Sequence, residues 1–566
     1  MPDNTYNTWT LSPLMNQRDY SEDEKTVLLH FFTNIDKNVY CARDALSNQL
    51  RAFLIWQYSR SHLCLRDRFL KLFYDAQEAY EQWNIKSDEF VWIEDLADSI
   101  RKGQYQHIEY FNQRASNFLK KRWVEYGHNS LKDADRVRFA LEWVSQVFTK
   151  VVESPFPSLG DFQEKSTRYV YFGKESIIYS DSIKNSKYYD QIKKFNEKLL
   201  KIYDDNQEKI KNAIAQNLII KENDFESPQA FQRTLNAKVF DILRYLLPSS
   251  VSTSLWASFP TRIAETHISE MLSHPLEEVR LIAKHMKEEW QKVSPWLLSR
   301  ISENEFLKDR KQRWLHVANE LFKNRKYPEL KKWIWNEQRV ELISSDNIDN
   351  IVTASILFEH SRIHWVSYNE CLWKVENMDE QSKESIIDAE IWDRGVFDRM
   401  PRSIQHWTVQ FQFTCDFGAY RDIQRHRASP QIRQWSTAIH WYDYPEFIDL
   451  PELKDFKSEY DEIMWNISEF ARDLIQEMPF ESEYISAFGH LTKTTFEMNP
   501  GQIAYVCELR TTPQWHHSYR KLFQQVYKII KQKAPIFAKH IRVNQDLEWS
   551  RKKQEERAEQ KKKNLK

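Results

Sequence analysis

Gln163-Glu164-Lys165-Ser166-Thr167-Arg168-Tyr169 and Arg425-His426-Arg427 decide how this chain is read, because they look like two pieces of one signature kept in different halves. Around each piece the same local grammar recurs. Val137, Phe139, Leu141 and Trp143 alternate with Arg138, Ala140 and Glu142. That period of two predicts a strand, and Val144–Val152 follows as a candidate helix. In the second half Trp407, Val409, Phe411 and Phe413 alternate with Thr408, Gln410 and Gln412, and Asp416–Arg425 is predicted as a helix ending at the Arg-His-Arg triplet. A strand, a helix and a signature thus occur twice. This points to a tandem duplication whose halves share one working site; two coincidental strand–helix units are the alternative on pattern alone.

The bulk of the chain sets the frame. At 566 residues it is too long for one core, so two or more domains are expected. Glycine is scarce, at 8 residues, and stretches such as 183–225 and 262–345 carry apolar residues at helical spacing, so the chain reads as helix-rich. A formal net charge of −1 leaves no global basic field, so neither a nucleic acid nor a membrane is expected as partner. The five cysteines (Cys41, Cys64, Cys371, Cys415, Cys507) form no CxxC pair and no metal-ligand cluster, so no metal is expected and reduced thiols fit a cytoplasmic location. Met1–Ser21 lacks an apolar signal core, and no run of about 18 apolar residues occurs. The expected organisation is an N-terminal extension over 1–34, a first repeat over 35–290, a helical linker over 291–334, a second repeat over 335–548 and a charged tail over 549–566. The Lys/Arg/Glu/Gln run of Arg551–Lys566 reads as a solvated or frayed helix, with a nucleic-acid tail as the alternative.

Arg425, His426 and Arg427 place two permanent cations and one titratable ring at a helix end, a group suited to phosphate or to an electron-rich ring. A plain surface patch has the same composition. Eighty residues on, an apolar run from Ile503 to Val506 leads into Glu508-Leu509-Arg510, preceded by Asn499. An ion pair with a neighbouring Glu is the other reading of that Arg. In the first half Arg244-Tyr245-Leu246-Leu247-Pro248 and Thr261-Arg262 also set single arginines beside apolar runs.

Together these pieces resemble the flavin-dependent thymidylate synthases, whose signature reads Arg-His-Arg, seven residues, Ser, one residue, Arg, with Glu before the Ser and Tyr after the Arg. The first half carries the back of it as Glu164, Ser166, Arg168 and Tyr169, with Phe156-Pro157-Ser158 where Arg-His-Arg belongs. The second half carries the front as Arg425-His426-Arg427, with Arg433, Trp435 and Thr437 at the later Glu, Ser and Arg positions. Gly127-His128 and Ile404-Gln405-His406 resemble the family's Gly-His and Phe-Glu-His segments. Asn499 and Arg510 keep its spacing of eleven, with Gly501 at a flavin-contacting Arg position. The first half reverses this: Arg262 matches that Arg, Pro260 replaces the Asn and Met271 replaces the catalytic Arg. Arg244 before Leu247-Pro248 matches a substrate-binding Arg, whose second-half counterpart is Glu483. Asp422 stands where single-repeat members have a substrate-contacting Gln. Gln57-Tyr58-Ser59-Arg60-Ser61 and the phrase from Glu508 to Gln514 resemble a longer, two-repeat branch of the same superfamily.

The resemblance implies a helix-rich α+β fold of two tandem thymidylate-synthase-complementing-protein-like repeats, each a mainly antiparallel sheet wrapped by helices. It implies an enzyme that methylates dUMP to dTMP with FAD, NADPH and methylenetetrahydrofolate at one composite site between the repeats. Arg510 would be catalytic. Glu164, Ser166, Arg168, Arg244 and Arg425 would bind substrate, and His406, Arg425, His426, Arg427, Asn499 and Arg262 would bind the cofactor, with a protonated His426 favouring the reduced flavin anion. The single-repeat members are tetramers, so a homodimer of this chain is implied. A one-carbon transferase acting on another pyrimidine nucleotide, and a non-catalytic nucleotide-binding scaffold of the same fold, are the alternatives.

Overall fold

The computed structural model describes residues 19–32, 65–83, 92–103, 136–155, 159–168, 171–173, 176–218, 221–225, 227–293, 301–322, 339–344, 347–361, 363–396 and 398–546, with a few positions between 35 and 54. Gly127-His128, Gln57–Ser61, Phe156–Ser158, Tyr169 and the tail Arg551–Lys566 lie outside the described residues. The chain divides into two compact units. One takes Met1–Phe139, Ser258–Leu272 and Ile282–Asn304; the other takes Ala140–Ala257, Ser273–Leu281 and Glu305–Lys566.

In the first unit, helix α1 (Glu22–Phe31) starts at Ser21, whose side chain and that of Glu24 form a reciprocal capping box. Its apolar stripe, Val27, Leu28 and Phe31, is buried, and Phe31 meets Phe69 of α2 (Leu65–Trp83) at a ring distance of 4.9 Å. Arg101, the last residue of α3 (Ile93–Arg101), pairs with Asp23 at 2.5 Å. Helix α8 (Thr261–Leu272) belongs here too and buries Ile263, Ile268 and Met271.

The strands explain the duplication. In the first repeat β1 (Arg136–Ser145), β2 (Asp161–Glu164) and β3 (Ser252–Pro260) form a sheet of order β1-β3-β2. In the second repeat β4 (Val340–Leu342), β5 (Val409–Asp416), β6 (Gln431–Arg433) and β7 (Leu491–Met498) form an antiparallel sheet of order β4-β5-β7-β6. Order β5-β7-β6 repeats β1-β3-β2, with β4 added at the edge. That short strand falls in the stretch 262–345 read as helical. It is too short to show a period, and it is held by Arg339, whose guanidinium makes a buried bidentate pair with Asp443 at 2.6 and 3.0 Å. Two further details differ from the sequence reading. Trp143 breaks the alternation of β1 with φ of 55°, standing 73% exposed while Val144 turns inward. Trp407 precedes β5 and is exposed.

Each sheet feeds a seven-residue helix: α4 (Gln146–Val152) capped by Ser145, and α12 (Phe417–Ile423) capped by Asp416. Further helices of the second unit include α5 (Tyr189–Asp205), α6 (Gln207–Asn217), α7 (Pro228–Leu243), α10 (Arg310–Phe322), α11 (Ile348–His360), α13 (Lys454–Glu477), α14 (Pro500–Arg510) and α15 (His517–Lys533). Helix α9 (Glu277–Val293) starts in this unit as well.

The halves meet about a pseudo-twofold axis. Ser249 N–H donates to the Ser486 carbonyl at 2.7 Å, and Phe488 N–H donates back to the Leu247 carbonyl at 2.9 Å, with Pro248 facing Ala487. Two further bonds are twinned: Gln146 N–H to Val251 O matches Phe417 N–H to His490 O, and Val147 N–H to Ser249 O matches Gly418 N–H to Phe488 O. The Arg244–Pro248 segment therefore stands opposite Glu483–Ala487. The register is not gapless, however. Fourteen positions separate Lys150 from Glu164, whereas twelve separate their counterparts Arg421 and Arg433. Counted from the helices, Ser154 and Pro155, not Phe156 and Pro157, stand opposite Arg425 and His426.

Candidate functional site

Four element ends converge in the second unit. Helix α7 ends at Arg244, α12 runs out through Asp422 into Arg425-His426-Arg427, β2 runs out through Glu164 into Ser166 and Arg168, and α14 ends at Arg510. Helix ends suit this task because each leaves carbonyls for guanidinium donors. Arg510 uses one: its Nη2 donates to the Asp422 carbonyl at 3.2 Å. Its Nε–H donates to Nε2 of His426 at 2.8 Å, and its guanidinium lies over Trp515 and Tyr519 at 5.0 and 5.4 Å.

Arg244 is 2% exposed, and its Nη1 reaches Asp422 Oδ2 at 3.3 Å. Its Nε and Nη2 are buried with no hydrogen-bond partner among the described residues. A buried donor without an acceptor is costly, so two on one guanidinium mark a place where an anion belongs. Arg168 Nη2 donates to Asp241 Oδ2 at 2.8 Å, and its backbone N–H to Ser166 Oγ at 3.3 Å. The Arg425 side chain is exposed and makes no hydrogen bond or ion pair with the described residues, though the carboxylates of Asp422, Glu164 and Glu153 all act on its charge. Burial works against the charge of Asp422, but the guanidiniums of Arg244, Arg425, Arg510 and Arg168 outweigh it and hold that carboxyl well below the usual range.

The structure thus brings together Arg510, Arg168, Arg244, Ser166, Arg425 and His426. Glu164 sits behind them, buried in a network with Arg421 at 2.7 Å and Lys150 at 3.6 Å. Burial raises its pKa, and Arg421, then Lys150 and Arg425, bring it below the ordinary value. Arg427 turns away: it donates to the carbonyls of Gly160 and Phe162 at 2.8 and 3.3 Å and ties the α12 exit to β2. Asn499 caps α14, its Oδ1 accepting from Gln502 N–H at 2.8 Å. His406 is exposed, with its ring 5.5 Å from that of Tyr368. Arg262 is exposed on α8 of the first unit.

One expectation is overturned. His426 is not protonated: burial first, and the Arg510 charge second, push its pKa down to about 3. An imidazole accepting from a guanidinium at Nε2 keeps its lone pair there, so its proton is on Nδ1. The exchange of Arg for Gly501 also has a physical cause, because a side chain there would meet Gln405 Cγ at 2.8 Å.

Sequence reasoning missed Asp241, Trp515, Tyr519 and Lys150. Asp241 lies three residues before Arg244 and so shares its helix face, and Trp515 and Tyr519 sit in the aromatic run after Arg510; both signals were legible.

Among the described residues, the pseudo-symmetric positions on the other side hold no such cluster. Arg433 replaces Glu164 and Glu483 replaces Arg244, and the two pair with each other. Trp435, opposite Ser166, stacks on His274 at 5.6 Å and meets Phe480 at 4.9 Å. Buried charge and aromatic rings fill the space.

The model of the thymidylate synthase complementing protein family matches residues 80–296 and 344–536. The chain belongs to this family. Its two matched regions carry the two repeats of a helix-rich α+β fold. Among curated proteins, it is similar to UPF0159 proteins of Chlamydia pneumoniae (26% identity, covering 93% of this chain and 95% of that one) and Chlamydia muridarum (27%, 94% and 96%), and to one of Thermoplasma acidophilum (23%, 78% and 91%). Among solved structures, a UMP/dUMP methylase PolB from Streptomyces cacaoi, bound with 5-Br dUMP, is similar at 12% identity with a TM-score of 0.26, covering 36% of this chain and 93% of that one. Among the described residues of this family member, no cluster of His, Cys, Asp and Glu could hold a metal ion, and no helix is long and apolar enough to cross a membrane.

Proposed function

We propose that the chain transfers a one-carbon unit to C5 of dUMP, giving dTMP, at the single site around Arg510, with FAD, NADPH and methylenetetrahydrofolate. The observation that carries this reading is Arg244, buried with two nitrogen donors that have no hydrogen-bond partner among the described residues, and sharing the Asp422 carboxylate with Arg425. Arg244, Arg425 and Ser166 hold the phosphate and sugar, since guanidinium and hydroxyl donors match phosphate oxygens. Arg510 lies against the pyrimidine and stabilises negative charge developing on the ring, which raises the nucleophilicity of C5. Its aim is fixed beforehand by His426, the Asp422 carbonyl, Trp515 and Tyr519. The Asp241 carboxylate fixes Arg168 in the same way.

The residues fit a flavin at both ends of α14. The exposed Arg425 side chain, with no hydrogen-bond partner among the described residues, stands at one end; Asn499, with an Nδ2 that has no hydrogen-bond partner among the described residues, and exposed His406 stand toward the other. The eleven residues of α14 span about 16 Å at 1.5 Å each, a length suited to an elongated cofactor. Bound there, the flavin would supply the reducing electrons and carry the one-carbon unit. Neutral His426 contributes a donor at Nδ1 rather than a charge. A homodimer, giving four repeats, is the assembly we propose.

The reading is tested by incubating the purified protein with FAD, desalting, recording the absorption spectrum and titrating with dUMP, with dCMP and UMP as comparison ligands. Retained flavin whose spectrum shifts with dUMP supports it. A colourless protein that ignores all three nucleotides refutes it.

A further inference from the structure

We propose that Tyr519 is a further ligand-contacting residue of this site, its phenol O–H donating to a phosphate oxygen of the bound nucleotide; this rests on the nucleotide-site reading above. Tyr519 lies in the first turn of α15 and is fully buried. Its ring is held by Trp515 at 6.3 Å, by His516 at 6.1 Å and by the Arg510 guanidinium at 5.4 Å. The place of its oxygen is therefore fixed, yet that oxygen is buried and has no hydrogen-bond partner among the described residues. A hydroxyl that gives up water and gains no partner is unfavourable, so it marks a position where a ligand atom belongs.

The surroundings indicate which partner is missing. Asp422, Arg168, Arg510 and Arg244 all act on the phenol, and the phenol acts on Arg425. Burial first, and the Asp422 carboxylate second, raise its pKa against the opposing guanidiniums, so the phenol keeps its proton and is a donor. Arg244 brings two buried nitrogen donors without an acceptor among the described residues. Donors from both side chains suit an acceptor with several oxygens, which a phosphate monoester has. Packing alone does not require the hydroxyl. Ser145 binds Glu278 in the first repeat as Asp416 binds Ser518 in the second, so the counterpart of Tyr519 is Val279, with Arg280 and Arg520 following. Val279 is fully buried and apolar. One helix position thus carries a polar group on the side of the arginine cluster and an apolar one at its mirror position.

The test compares the full-length wild type with Y519F, which removes the hydroxyl and keeps the ring. Calorimetry measures the dUMP dissociation constant, phosphorus NMR at saturating dUMP reads the resonance of the bound phosphate, and thermal melts follow the ligand-free proteins. Y519F is expected to weaken dUMP binding by about tenfold to a hundredfold, the usual weight of a hydrogen bond to a charged group, and to move the phosphorus resonance. Without ligand it should melt no lower than the wild type, because it sheds a buried group that lacks a partner. A Y519F that keeps the wild-type affinity, that loses affinity with the phosphorus resonance unmoved, or that melts lower without ligand overturns this proposal and leaves the nucleotide site standing. A wild type that does not bind dUMP overturns the site reading and this proposal with it.

Discussion

Arg433 donates to the carboxylate of Glu483, and these two residues occupy the positions that Glu164 and Arg244 hold in the first repeat. The charges are inverted between the halves, and the inverted pair neutralises itself. One side therefore offers unpartnered guanidinium donors and the other offers none from this pair.

Calorimetry should accordingly give one nucleotide per chain. Exchanging the pair, as R433E combined with E483R, is expected to leave that stoichiometry at one, because Trp435 still stacks on His274 and meets Phe480 where Ser166 stands on the working side. Two nucleotides per chain in either protein contradict the single-site account.

Asp241 touches no proposed ligand group, yet its contact fixes Arg168. D241N replaces a charge-assisted bond by a neutral one, a loss of about 1.5 to 3 kcal/mol. The nucleotide dissociation constant should rise roughly tenfold to a hundredfold, while kcat at saturation changes little. Equal losses in both would mean that Asp241 supports the fold rather than the aim of Arg168.

The duplicated topology was legible because alternating residues in β1 and β5 and the shared signature recur in both halves. The strand β4 was not, since three residues carry no period. Arginine positions in the site could be read from their places beside apolar runs, but their partners could not. That Arg427 is tied to β2, that His426 is neutral and that Arg433 cancels Glu483 depend on which side chains meet after folding. The two-residue difference between the halves was hidden for the same reason: the signature alone gives no helix end from which to count.

Asp416 caps α12, accepting from Ala419 N–H at 2.7 Å and from the Ser518 hydroxyl. Burial, and then the neighbouring Asp443, raise its pKa from 3.8 to about 6. Between those values the folded protein holds a proton that the unfolded chain has released, so this group's contribution falls as pH rises through about 4 to 6. A shift of that size corresponds to a contribution on the order of 3 kcal/mol. D416N keeps the cap, since Asn serves as well as Asp. Its urea-derived stability, relative to wild type, should therefore gain steadily from pH 4 to pH 6 and level off above. A difference between the two proteins that is independent of pH would contradict the assignment.

The central claim is that Arg510 acts on the pyrimidine ring at a site that other residues bind and shape. The most direct measurement follows release of tritium from C5 of labelled dUMP, with FAD, NADPH and methylenetetrahydrofolate, in the wild type and in R510A, alongside dUMP binding to both. The account predicts tritium release and dTMP formation by the wild type. R510A should lose about a hundredfold to a thousandfold in rate, the usual cost of removing one charge-stabilising donor, while its dUMP affinity falls only several-fold. Wild-type turnover that R510A retains, or flavin-loaded protein that binds dUMP and releases no tritium, would contradict it.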